Sequence, residues 1–408
     1  MRLAVVSPFL DRSHGTERCI VEQIERLARL PGWEIHVYSQ RVEQVAGVSR
    51  DFSPGQIVWH KIPEFPGPHL LRYLWWFAAN HIYRWRDRRT GRVRPDLVYS
   101  PGINCADADV IAVHIVFQAY YRQAGSRLRF RGSPLTSWPR RLHRRLYYRL
   151  IMFLESYVYT KPKTRLLAVS RLVASRLSTF FQRSDVLVVP NAVDIHRFTP
   201  EIRSQRRAAS REKAGLAAND FVVLLVGNDW ETKGLPALLR SLAECRDLPI
   251  HLLVVGADDQ SVFLPVIEKL GLQGRVHFTG SSADVMQFYA AADVYSSPSL
   301  DDSFALPPLE AMACGLPVIT SVNNGGSQTI TEGVDGFVLQ DPLDSAALAR
   351  LLRCLYEQAP LRSRIGENAA RTVQAYNWDR NARETGDALT AALERKRQHL
   401  SVEEEAAG

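Results

Sequence analysis

Two carboxylates eight positions apart, Asp302 and Glu310, are the residues of this chain best placed to do chemistry. They bound the string Asp-Ser-Phe-Ala-Leu-Pro-Pro-Leu-Glu, which continues into Ala-Met-Ala-Cys-Gly315-Leu-Pro317. That spacing does not fit a simple i, i+4 pair on one short helix. Ser303 to Pro308 is therefore expected to be a loop, with Pro308 near the first position of a helix, Glu310 in its first turn and Gly315 at its end. Such a loop offers two carboxylates and several free backbone N–H groups around one pocket, an arrangement that suits a polyhydroxylated, phosphorylated ligand. Glu310 alone would be no more than a first-turn acid favoured by the helix dipole. The whole string is what points to function.

The elements that must position these residues come in two series. The first begins with the strand LAVVSPF, the turn DRSHGTER and an amphipathic helix through CIVEQIERLARL. It continues with the apolar runs at 34–39, 96–102, 109–117 and 165–170. The rhythm restarts at 221–227 and runs through 250–256, 276–280, 293–299 and 317–321, with helical patterns between. Strands alternating with helices imply parallel sheets covered on both faces, and open sheets of that kind collect ligands at the carboxyl ends of their strands. The expected divisions are a first domain over 1–185, a second over 186–375, a helix over 376–396 and a disordered tail over 397–408. No repeat of solenoid length is present.

Composition excludes several classes. Of 408 residues, 46 % are hydrophobic and 23 % charged, as in an ordinary folded chain, so intrinsic disorder and collagen-like structure are ruled out. No apolar run approaches the length of a membrane span, and the start reads as a strand, not as a signal peptide. The five cysteines are scattered without a C-x-x-C pair, which fits a reducing cytosol and no structural zinc. Charge is segregated: residues 1–200 carry a net +16 and the remainder a net −8. The basic half is the expected docking face for something anionic.

The string DSFALPPLEAMACGLPVITS resembles the acid-x7-acid signature of family 4 retaining glycosyltransferases of the GT-B fold. HGTERCIVEQIERLA, VVPNAVDIHRFTP, LLVGNDWETKGLPALLRSLA and YNWDRNA stand where that family has its landmarks. GNDWETKG brings the chain nearest to the bacterial lipopolysaccharide-core glucosyltransferases. The resemblance spans roughly residues 1–390 and implies an α/β architecture of two Rossmann-like, doubly wound domains facing across a cleft, the second binding the nucleotide sugar. It implies that Gly15 lets backbone N–H groups approach the donor diphosphate, and that Lys233 neutralises the departing diphosphate. Glu310 would hold the ribose hydroxyls and Asp302 the sugar hydroxyls. Phe304, Ala305, Leu306 and Asn228 would complete the donor site, and His114 would lie beside the transferred sugar. The ordinary alternatives are a simple strand–helix turn at Gly15, a solvated lysine at Lys233 and a core histidine at His114. Two departures stand out. Asp302 takes the place of the usual Glu, and Asn228 that of the usual Arg. Arg165 or Arg171 could supply the missing charge. The fold uses no metal for transfer, so Asp107-Ala-Asp109 is discounted as a manganese motif.

From Val110 to Leu154 there is no acidic residue and there are nine arginines, among them Arg140, Arg141, Arg144 and Arg145. A second stretch, 70–89, adds Trp75, Trp76 and Trp85 beside more arginine. Basic amphipathic helices with Trp and Tyr suit the headgroup layer of an anionic membrane. A solvated helical face over aromatic core is the plain alternative, and nucleic acid ranks last because no nucleic-acid motif accompanies the arginines. The sequence thus predicts a cytoplasmic hexosyltransferase, peripheral on the inner face of the cytoplasmic membrane. It would move a sugar from a UDP- or GDP-sugar to a lipid-linked or glycan acceptor, with no cofactor. The competing readings are a GT-B-fold epimerase or phosphorylase, and a degenerate transferase kept as a membrane- or partner-binding module.

Overall fold

The computed structural model describes residues 1–49, 55–124 and 134–407. The chain divides into two compact units, one of residues 1–190 with 378–408 and one of residues 191–377.

The first unit is built on an eight-stranded parallel sheet. Its order is Leu187–Val188, Arg165–Ala168, Val110–Val113, Leu97–Pro101, Arg2–Val6, Glu34–Ser39, Ile57–Lys61 and Val48–Ser49. The short pair Phe9–Leu10 and Arg41–Val42 extends two of these strands past the sheet. Its helices include α1 (Gly15–Ala28), α2 (His69–Arg89), α3 (Phe117–Ala124) and α4 (Pro134–Tyr159). The apolar spacing of α1 places Ile20, Val21, Ile24 and Leu27 against Leu3, Val5, Ile35 and Val37 of the sheet. The helix Trp378–Ala407 closes this core with Leu389 and Leu393. It lies so close to α1 that a Cβ on Gly386 would come within 2.9 Å of Leu27 Cδ2. Gln23 Nε2 donates to Asn381 Oδ1 at 2.9 Å across the same seam.

The second unit holds a six-stranded parallel sheet, ordered Val276–Gly280, Ile250–Val255, Phe221–Val226, Val294–Ser297, Val318–Ser321 and Phe337–Leu339. Val223, Leu225, Leu252 and Val254 point into a core shared with Leu238 and Leu242 of the helix Leu235–Glu244. Continuous apolar strands are what a sheet covered on both faces requires.

Two local expectations are corrected. The strand expected over 109–117 ends at Val113, and α3 begins at Phe117, because the buried Glu155 carboxylate accepts the Phe117 and Gln118 N–H groups at 2.6 and 3.0 Å and caps that helix. The expected tail is instead the last turns of Trp378–Ala407, where Val-Glu-Glu-Glu-Ala-Ala contains no helix breaker. The strands Ile57–Lys61 and Phe337–Leu339 join the sheets without having stood out in the sequence, each too short for a clear period.

Candidate active site

In the second unit, the loop after Val294–Ser297 is clamped to the neighbouring loop. Asp302 N–H donates to Asn323 O at 2.9 Å, and Gly325 N–H to Asp302 O at 2.8 Å. Asn324, fully buried, accepts from Gly326 N–H at 2.9 Å and from Ala305 N–H at 3.4 Å. The Asp302 carboxylate accepts from Phe304 N–H at 3.2 Å. Of the loop N–H groups expected to be free, those of Phe304 and Ala305 are taken up inside the loop, because buried N–H groups must find an acceptor. Phe304, Ala305 and Leu306 are themselves buried.

The helix that follows is Pro307–Ala313, so Pro307 takes its first position and Pro308 its second, with Gly315 beyond the end at φ 70°. Glu310 is 4 % exposed and accepts the Tyr289 hydroxyl at 2.8 Å. Burial, reinforced by the Glu310 charge, holds the Tyr289 hydroxyl well above its ordinary pKa, so it stays a donor.

Lys233 reaches the same loop from another strand. The chain leaves Phe221–Val226 through Gly227 at φ 136°, and Asn228 Oδ1 accepts the Ala257 N–H at 2.8 Å, tying this turn to the one after Ile250–Val255. Gly234 caps the next helix at φ 90°, and a Cβ there would lie 2.2 Å from Pro298 O. Only glycine fits, and its tight turn aims Lys233 back across Gly227. The Lys233 ammonium forms an ion pair with the Asp302 carboxylate, their side chains 18 % and 15 % exposed. All of these groups stand at the carboxyl ends of parallel strands.

His114 and Gly15 belong to the first unit. His114, 8 % exposed, sits just beyond Val110–Val113, and its Nε2 has no partner among the described residues. Burial brings its pKa down to about 4, so the ring is neutral at pH 7. It lines a cavity of about 310 Å³ together with Thr16, the neighbour of Gly15. A Cβ on Gly15 would meet nothing within 4 Å, so the chain's own packing does not demand glycine there. Asp107 is held by Arg84 and His81, Asp109 by Lys396, and Arg165 faces Asp185 at 3.5 Å.

The two tryptophans of α2 separate. Trp75 is 38 % exposed, whereas Trp76 is 2 % exposed and lines the cavity, its Nε1 donating to Asn104 Oδ1 at 3.3 Å. Trp76 is therefore no surface contact. Its helix turns Asn80, Arg84 and Asp87 inward on the same face. The outer face of α2 carries Leu71, Leu74, Trp75, Ile82 and Trp85, all exposed. On α4, Leu142, Leu146, Phe153 and Tyr157 are exposed at similar spacing, with Arg145 beside them and Arg144 over the Tyr148 ring. The side chains of Arg140 and Arg141 lie outside the described residues.

Sequence reasoning missed Asn324, Tyr289 and the cavity residues Arg41, Arg72 and Tyr73. The Asn324-Gly-Gly turn was the one available signal, since an asparagine commonly caps a following turn through its side chain.

Two parallel α/β units, each with its polar cluster at the carboxyl edge, define the GT-B class of glycosyltransferases. Residues 13–197 match the family described as Glycosyltransferase Family 4, and residues 206–372 that described as Glycosyl transferases group 1. The chain belongs to these glycosyltransferases. It is similar to D-inositol 3-phosphate glycosyltransferase of Streptomyces avermitilis, 30 % identical over 233 residues, which cover 54 % of this chain and 49 % of that protein. Lipopolysaccharide glucosyltransferase WaaG of Escherichia coli is 29 % identical over 211 residues, covering 51 % of this chain and 56 % of that protein. The match thus spans about half the length of these curated relatives. Among solved structures, WaaG superposes with a TM-score of 0.74 at 23 % identity, covering 95 % of this chain and 99 % of that one. Anabaena Alr3699/HepE in complex with UDP-glucose gives 0.67 at 22 % identity, covering 96 % and 100 %.

Proposed function

We propose that this protein is a retaining glycosyltransferase that moves a hexose from a nucleoside-diphosphate sugar to a glycan or lipid-linked acceptor at a membrane surface. The Lys233–Asp302 pair carries the proposal. It holds a cation and a carboxylate in balance at the carboxyl edge of the second sheet, beside the helix bearing Glu310. When a donor binds, its diphosphate takes over Lys233 and a sugar hydroxyl takes over Asp302. Glu310, oriented by Tyr289, accepts from the ribose hydroxyls.

As the bond from the anomeric carbon to the diphosphate oxygen breaks, negative charge grows on the β-phosphate. Lys233 stabilises that charge without a metal ion, and the acceptor hydroxyl oxygen bonds to the anomeric carbon on the face the diphosphate leaves, its proton passing to the departing phosphate oxygen. Positioning and leaving-group stabilisation supply the catalysis, with no protein nucleophile. The HepE complex makes a uridine nucleotide the first donor to try.

The membrane part of the proposal rests on the outward apolar faces of α2 and α4, interleaved with arginine. Among the described residues no helix is long and apolar enough to cross a membrane, so these faces would lie on the bilayer.

Calorimetric titration with UDP, GDP and ADP tests the donor site. One nucleotide is expected to bind, with Lys233→Ala and Glu310→Ala each weakening it about tenfold or more. Folded protein that binds none of the three at millimolar concentration overturns the proposal.

A further inference from the structure

Five polar side chains are wholly buried where two central strands of the second sheet end. Ser297 and Ser299 lie at and just beyond the end of Val294–Ser297, and Thr320, Ser321 and Asn324 at and just beyond the end of Val318–Ser321. Deeper in the core the same strands present Val294, Val318 and Ile319. Burying five polar groups at this depth lowers stability unless each finds a partner, and a satisfied network supplies a fixed geometry in return.

The five are joined by hydrogen bonds. Asn324 Nδ2 donates to Thr320 Oγ1 at 3.2 Å, and Thr320 Oγ1 donates to Ser297 O at 3.0 Å. The Ser297 and Ser299 hydroxyls lie 2.9 Å apart, and Ser321 Oγ donates to Ser299 O at 2.5 Å. One end of this network reaches the Lys233 turn. Ser297 Oγ donates to Lys233 O at 3.4 Å, and Leu300 N–H donates to Thr232 O at 2.8 Å beside it. With the Ser297 proton directed at Lys233 O, the Ser299 hydroxyl is the donor of the serine pair. The other end reaches the Asp302 loop. Asn324 Oδ1 takes the Gly326 and Ala305 N–H groups, while its chain neighbours Asn323 and Gly325 are bonded through their backbones to Asp302. Asn324 thus joins the strand hydroxyls to the turn that holds the carboxylate, and the members of the Lys233–Asp302 pair are held from beneath by one network.

We propose that Asn324 is a positioning residue for the donor sugar, acting through this network to hold the Asp302 carboxylate in register with Lys233. The inference rests on the donor-site reading above and adds to it what keeps the two charges of the site in place. In that reading Lys233 and Glu310 engage the nucleotide and Asp302 engages the sugar. Loosening the Asn324 turn therefore acts on the sugar half of the donor and spares the nucleotide half.

The test is calorimetry on the full chain with UDP, GDP and ADP and with UDP-glucose, GDP-glucose and ADP-glucose. The quantity read is the affinity of the glucose ester divided by that of its own nucleotide, for the nucleotide that binds. Asn324→Ala should lower this ratio about tenfold and change nucleotide affinity less than about threefold. Thr320→Val keeps the shape of the side chain but leaves Asn324 Nδ2 without its acceptor, and should lower the ratio about fivefold. Thr320→Ser restores the hydroxyl and should recover it. Because both residues act through one network, the double variant should lose no more than Asn324→Ala alone. Melting curves verify folding, and the two Thr320 variants carry the test if Asn324→Ala does not fold. An unchanged ratio in folded variants, an equal loss of nucleotide and glucose ester, no recovery in Thr320→Ser, or additive losses in the double variant overturns the inference, while nucleotide binding by the wild-type protein keeps the transferase reading intact. Folded wild-type protein that binds none of the three nucleotides overturns that reading, and the positioning role with it.

Discussion

The Lys233 ammonium and the Asp302 carboxylate meet in an ion pair although 69 residues separate them in the chain. Each thereby satisfies the charge that the donor would otherwise have to neutralise. Both side chains are largely shielded from solvent, so the carboxylate competes directly with a diphosphate for Lys233. Asp302→Asn should free Lys233 for a diphosphate and tighten UDP binding by up to about fivefold. Sugar transfer should fall by about a hundredfold, because the sugar loses its carboxylate. Tighter UDP with slower turnover is the signature. Weaker UDP binding in Asp302→Asn would mean that the carboxylate contacts the nucleotide itself.

The Tyr289 hydroxyl donates to Glu310, so in the proposed donor site it would act through that carboxylate. Tyr289→Phe deletes one buried hydrogen bond and should cost about 1 kcal/mol of stability and weaken UDP about fivefold. Chemical denaturation and calorimetry on the same sample measure both. An unchanged UDP affinity would show that Glu310 keeps its orientation unaided.

Two glycines should behave in opposite ways. Gly234→Ala forces a Cβ onto Pro298 O at positive φ and should destabilise by about 3 kcal/mol or more. Gly15→Ala meets open space at a helix start, so the melting point should hold or rise slightly while donor affinity falls. Thermal melts paired with UDP titrations separate the two cases.

His114 and His60 are buried, and that burial brings each pKa down to about 4 from an ordinary 6.5. Above pH 6.5 both states of the chain hold these rings neutral. Below it the unfolded chain takes up protons that the folded one refuses, so stability is lost as pH falls from 6.5 towards 4. His114, whose shift comes from burial alone, contributes about 3 kcal/mol to that loss, and His60, paired with Asp87, adds in the same direction. Replacing either by Gln should flatten denaturation midpoints across that range, and a wild-type midpoint independent of pH between 6.5 and 4 would contradict it.

Trp75 and Trp85 sit on the outer face of α2. The double substitution to Ser should reduce sedimentation with phosphatidylglycerol vesicles by about tenfold, at about 1.4 kcal/mol for that factor, and leave UDP binding unchanged. Equal sedimentation of the two proteins would remove α2 from the membrane proposal.

What the sequence determined alone is local. Apolar runs broken by helical periods specify two parallel α/β units, because a strand buried on both faces needs a continuous apolar stretch. The string from Asp302 to Gly315 specifies a loop entering a helix, because proline and glycine restrict the backbone wherever they occur. The run of tryptophan and arginine over 70–89 also marked α2 as a basic, aromatic helix. It could not show that Trp76 turns inward to a cavity and Trp75 outward, since that depends on which side of the helix the sheet lies. Tyr289 meets Glu310 21 residues away. Residues 9, 41, 72, 104 and 114 share one cavity because sheet order, and not chain order, brings strand ends together. Those meetings belong to the tertiary structure, where distant segments become neighbours only once the sheets have formed.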